Sequence, residues 1–133
     1  MRIVWSQNME TGNPEIDRDH RSLVEIINRV AELIGHDSED IGKIICDLLD
    51  YVILHFGREE YMMRRTSFPN SEAHLLAHCE FFTKLIKYSY SYEMGQSNLS
   101  VEMHNYLSDW LLAHEANEDM ELARHVKGTS APN

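Results

Sequence analysis

Apolar residues along this chain recur at steps of three and four in four separate stretches. From about Asp17 the residues Leu23, Ile26, Ile27, Val30, Leu33 and Ile34 form one stripe that stops at Gly35, which predicts a first amphipathic helix. Asp37 or Ser38 offers an N-cap for a second, whose stripe runs Ile41, Ile44, Ile45, Leu48, Leu49, Val52, Phe56 and Met63, because a side-chain oxygen there can accept an otherwise unpaired amide of the first turn. Pro69 ends the next turn, and Asn70 or Ser71 can cap a third helix carrying Leu75, Phe81, Phe82, Leu85 and Ile86 as far as Gly95. A fourth starts near Ser97 to Ser100 and carries Val101, Tyr106, Leu107, Leu111 and Leu112 to about Val126. Residues 1–16 hold Gly12, Asn13 and Pro14 without a sustained period, so an extended arm anchored by Trp5 is expected. Residues 127–133 are expected to fray.

Short connections between amphipathic helices favour antiparallel neighbours. The fold expected is therefore all-α, an antiparallel up-down four-helix bundle with an extended N-terminal arm. A chain of 133 residues fits one domain, here residues 1–133. A formal charge of -10 excludes the basic surface that nucleic acid or an anionic membrane requires. With neither a leader pattern nor a run of about 20 apolar residues, the protein is expected to be cytoplasmic. Cys46 and Cys79 are then expected to be reduced packing residues.

Eight histidines in so short a chain change the picture, because of where they fall. His55 and Glu59 lie four residues apart on helix two, and His74 and His78 repeat that step on helix three; each pair shares one helix face and can reach one centre. His20 begins helix one, and His114 with Asp119 comes late in helix four. In an alternating bundle all four sets meet at the same end. Any one pair is commonly a surface feature, but ligand types level with one another on four helices are not. The flanks Leu54-His55-Phe56 and Leu75-Leu76-Ala77-His78 imply burial, and burying that many titratable groups without a metal is costly. Five imidazoles and two carboxylates exceed one tetrahedral zinc and suit two octahedral metals, which points to iron. Zinc or manganese also remains open on ligand type.

Ile16-Asp17 with His20, the run His55-Phe56-Gly57-Arg58-Glu59-Glu60 followed by Met62 or Met63, Pro69, His74 with His78, and Trp110-Leu111 with His114 and Asp119 together make a specific pattern. It resembles the bacterial hemerythrins from Trp5 to about Val126. That resemblance implies two non-haem irons with a bridging oxo or hydroxo group. His74, His78 and His114 would bind the first iron, His20 and His55 the second, and Glu59 and Asp119 would bridge them. It also implies dioxygen as the partner, bound at the open position of the second iron. Val24, Phe56, Trp110 and Leu111 are expected to form a dry pocket there. The function expected is an oxygen carrier, store or sensor; the alternatives are a di-iron enzyme reducing peroxide, dioxygen or nitric oxide with a redox partner, or a redox or iron sensor.

The step of five from His114 to Asp119 turns the aspartate about 140° away in a regular α-helix. A local π-type turn between Ala113 and Met120 is therefore expected. Glu115 departs from the resemblance, because the family usually carries an apolar residue after this histidine. A carboxylate there could occupy the open position, act in the pocket or turn to solvent. Met120 stands where lysine is frequent. His36, His104 and His125 are expected at the surface, and Glu60, Glu118 and Asp109 as solvated or capping charges. Oligomeric state is left open by the sequence.

Overall fold

The computed structural model describes residues 2–129, and every side chain among them except those of Glu115 and Ala116. Four antiparallel helical rods form the bundle: α1 Pro14–Glu32, α2 Asp40–Thr66, α3 Ser71–Glu93, and a fourth in three continuous parts. These parts are α4 Leu99–Trp110, a π-helical stretch Leu111–Asp119, and α5 Met120–Thr129. No strand occurs among the described residues, and none of their helices is long and apolar enough to cross a membrane.

Helix α1 begins three residues before the expected Asp17, because Pro14 pre-sets the first turn and Asn13 accepts from the amides of Glu15 and Ile16. The arm before it is extended apart from one 3₁₀ turn at Gln7–Met9. It is pinned where Asn28 exchanges two hydrogen bonds with the Ile3 backbone, and where Asp17 accepts from Thr11 and Gly12. Trp5 is half-buried, with the Arg21 guanidinium 4.9 Å above its ring, so it anchors the arm as expected. Ser38 accepts from the Asp40 amide at the start of α2, whereas Asp37 reaches across to the amide and hydroxyl of Ser100 and caps the fourth rod. The last turns from Lys127 to Thr129 are helical, not frayed; residues 130–133 lie outside the described residues.

Left-handed residues close α1, α2 and α3. Gly35 (φ +91) and Gly95 (φ +77) take this conformation without strain. Ser67 (φ 53) does so at the end of α2, where the Phe68 amide bonds back to the Met63 carbonyl. A side chain there costs roughly 1 kcal/mol, so Ser67→Gly should stabilise the fold by up to about that amount in denaturant titration.

The main core is built from Leu23, Ile27, Val30, Ile44, Leu48, Phe81, Leu85, Met103 and Leu107 with their neighbours. A smaller cluster of Ile16, Met62, Met63, Phe68, Leu122, Ala123 and Val126 closes one end. Phe81 is fully buried and touches the rings of Phe56 and Trp110. Phe81→Ala should therefore cost about 3–5 kcal/mol of unfolding free energy. On α3 the buried face is His74, His78, Phe81, Leu85 and Tyr88. Leu75, Phe82 and Ile86, expected inside, are exposed along its flank, as are Val101 and Leu112 on the fourth rod. Cys46 and Cys79 are free thiols as expected, but exposed instead of packed.

Candidate metal centre

Between the two apolar clusters each rod delivers polar groups to one level. His20 on α1, His55 and Glu59 on α2, His74 and His78 on α3, and His114 and Asp119 on the π-helical stretch are all buried. The stretch Leu111–Asp119 is the expected irregularity. Its bonding repeats every five residues, so His114 and Asp119 become neighbours one turn apart.

The contacts sort the donors into two sets. Glu59 Oε1 lies 3.0 Å from Nε2 of both His74 and His78, while its Oε2 lies 3.4 Å from Nε2 of His55. Asp119 Oδ1 lies 3.1 Å from His74 Nε2 and 3.2 Å from His114 Nε2. Its Oδ2 lies 2.8 Å from His20 Nε2 and 3.5 Å from His55 Nε2. Each carboxylate thus offers one oxygen to a three-histidine set and the other to a two-histidine set. In each set the donor atoms lie within 4.8 Å of one another.

This donor set fits metal ions. Neighbouring ligands about 2.1 Å from an octahedral ion sit about 3.0 Å apart, close to the separations here. His55 Nε2, His114 Nε2 and Asp119 Oδ1 are buried and make no well-aligned hydrogen bond among the described residues, which is costly for groups without another partner. The electrostatics agree. Burial opposes charge on Asp119, yet the imidazoles of His114, His20, His55 and His74 around it hold its carboxyl well below the usual range. Burial and the neighbouring His74 and His114 push His78 down to about 2, while burial of His55 is outweighed by Glu59, Asp119 and Asp19, which raise it to about 10. Cations shared by both sets would relieve this imbalance.

Three carboxylates that the sequence reading did not place at the centre touch its outer side. Asp19 Oδ2 accepts from His55 Nδ1 at 2.9 Å, and Arg58 binds both Asp19 oxygens at 2.9 Å. Although burial opposes its charge, these bonds hold Asp19 down to about 2. Glu60 and Glu118, expected to be solvated, accept from His78 Nδ1 at 3.2 Å and His114 Nδ1 at 3.0 Å. Only Glu118 carried a usable signal, its step of four from His114; Asp19 and Glu60 meet their partners across helices. Asp109 is exposed as expected.

The expected pocket residues divide. Phe56 stacks on His78 at 3.7 Å and Trp110 on His114 at 4.0 Å, so both cover imidazoles of the three-histidine set. Val24 and Leu111 are buried in the main core. Leu111 also joins His20, Leu112 and the arm residues Trp5, Ser6, Asn8 and Met9 around a cavity of about 270 Å³, a contribution of the arm that periodicity could not reveal. The apolar flanks are one-sided, since Leu54, Leu75 and Leu76 are exposed. His36 is exposed as expected, but His104 is buried and His125 is half-buried with Nε2 2.9 Å from the Thr66 carbonyl. The Glu115 side chain lies outside the described residues.

Five imidazoles and two carboxylates enclosed by four helices define a metal-binding bundle with a non-haem centre. The family model for the "Hemerythrin HHE cation binding domain" matches residues 11–126, and the chain belongs to that family. It is 31% identical to a bacteriohemerythrin of Pseudomonas aeruginosa over 127 residues, covering 92% of this chain and 82% of that one. A bacteriohemerythrin of Stenotrophomonas maltophilia is 29% identical over 94% of this chain and 82% of its own. One of Clostridium acetobutylicum is 28% identical over 90% and 97%.

Proposed function

We propose that this chain binds dioxygen at a centre of two non-haem irons, as a carrier, store or sensor. In this reading His74, His78 and His114 hold one iron and His20 and His55 the other. Glu59 and Asp119 are shared, beside a solvent-derived oxo or hydroxo bridge. The observation that carries it is the division of each carboxylate, one oxygen toward each histidine set. When bound in the ferrous state, the two irons supply electrons that dioxygen can accept and return.

The residues account for the rest. His74, His78 and His114 with the shared carboxylates would leave no room at the first position, whereas the two-histidine position, beside which the cavity at His20 lies, would admit a small ligand. Neutral imidazoles keep the buried charge small while two carboxylates offset part of the metal charge. Phe56, Trp110 and Leu111 keep water from the donors. A site rich in imidazole favours the ferrous state more than a carboxylate-rich one does, which favours release of the ligand over further oxidation.

A second reading is favoured by Glu115, a carboxylate directly after His114. There the centre is a redox enzyme or sensor in which Glu115 acts. The two are separated by admitting air to the reduced, iron-loaded protein and following its visible spectrum beside Glu115→Ile. Carriage predicts a band in wild type that fades when oxygen is removed and is unchanged by the substitution. Irreversible oxidation of wild type, with reversibility gained in Glu115→Ile, would replace the first reading by the second.

A further inference from the structure

The three outer carboxylates are not equivalent. Asp19 holds His55, a member of the two-histidine set, and its side chain is 8% exposed with both oxygens taken by Arg58. Arg58 shares its charge, so Asp19 chiefly orients the ring. Glu60 and Glu118 hold His78 and His114, both members of the three-histidine set, and their side chains are 39% and 41% exposed. Neither shares its charge with an arginine among the described residues. Two members of the three-histidine set, His78 and His114, therefore face through Nδ1 carboxylates that no arginine pairs among the described residues, whereas His55 faces one shared with Arg58.

A carboxylate that accepts the Nδ1–H of an imidazole fixes the tautomer that leaves Nε2 free to bind metal. It also draws positive charge onto the ring as Nε2 donates, making that nitrogen a stronger ligand. The gain grows with the charge of the metal, so it favours ferric over ferrous ion.

Building on the two-iron reading above, we propose that Glu60 and Glu118 are positioning residues that bias the centre. Acting through His78 and His114, they make the three-histidine position the first to fill and the one that better stabilises the oxidised metal. Asp19 with Arg58 chiefly sets the orientation of His55. The two positions are then unlike in affinity as well as in donor number.

The test is an anaerobic titration of the metal-free protein with ferrous iron by calorimetry, followed by potentiometric titration of the loaded protein. Wild type is compared with Glu60→Gln, Glu118→Gln and Asp19→Asn, each checked by its metal-free thermal unfolding. Glutamine keeps a carbonyl that can accept the same hydrogen bond, so a purely structural role predicts no change in potential. The inference predicts that wild type takes up two irons in two steps. Each Gln variant should weaken the tighter step by about 10- to 100-fold and raise the reduction potential, by about 59 mV for every tenfold change in the ferric-to-ferrous affinity ratio. Asp19→Asn should weaken the looser step and leave the tighter one in place. Two irons in wild type with unchanged affinities and potentials in the Gln variants, or weakening of the looser step instead, would overturn the inference alone. Fewer than two irons in wild type would overturn it together with the reading it rests on.

Discussion

On the proposed uptake of two irons per chain, Asp119→Asn should reduce it to at most one, with affinity for any remaining ion lowered by at least about 100-fold. Removing a partner one shell further out already costs about 10- to 100-fold, and Asp119 stands closer. Its two oxygens face His74 and His114 on one side and His20 and His55 on the other, so one substitution removes a donor from both sets. The amide keeps the shape and loses the charge. The same change leaves His20 without its carboxylate partner at 2.8 Å, and metal-free stability should fall by about 1–3 kcal/mol. Iron counted by elemental analysis after anaerobic loading and desalting checks the first expectation, and chemical denaturation of the metal-free variant checks the second. Full loading of Asp119→Asn would mean that the carboxylate is not shared.

Stripping the metal should lower the thermal midpoint by roughly 10–20 °C. The metal-free cage keeps buried groups in poor register, with His55 Nε2 and His114 Nε2 lacking aligned hydrogen bonds. Ions that bind only the folded chain add about 2.7 kcal/mol each when free metal is a hundredfold above its dissociation constant. Two such ions therefore add roughly 5 kcal/mol, and about 3 °C per kcal/mol is ordinary for a chain of this size. The bundle itself should survive, because Leu23, Ile27, Leu48, Phe81, Leu85 and Leu107 pack independently of the cage. Circular dichroism melts before and after chelation give the shift, and helix content at 25 °C should change little. A midpoint unaffected by chelation would mean that the cage holds no structural ion.

That seven buried residues meet at one level was legible because helical spacing is short-range: steps of four put His55 with Glu59 and His74 with His78 on shared faces. Alternating rod direction then levels the four sets. The odd step from His114 to Asp119 even exposed the π-helical stretch. What periodicity missed is set by contacts between rods. Glu60 meets His78 from 18 residues away and Asp19 meets His55 from 36 away, distances over which no pattern in a single chain is informative. His104 was misplaced although it follows Met103 and precedes Leu107 on the buried stripe of α4, because a polar residue was read as a surface residue. Leu75, Phe82 and Ile86 depart in the opposite sense: their spacing predicts a core face, but α3 buries its face with His74 and His78 instead. The arm's share in the cavity beside His20 depends on tertiary docking through Ile3, Thr11 and Arg21.

The central claim is that two histidine sets hold two irons coupled through Glu59 and Asp119. The most direct measurement is the iron count per chain after anaerobic loading and mild oxidation, taken together with magnetic susceptibility on the same sample. The account predicts two irons per chain, antiferromagnetically coupled in the oxidised state. One iron per chain, or two that behave as magnetically independent ions, would contradict it.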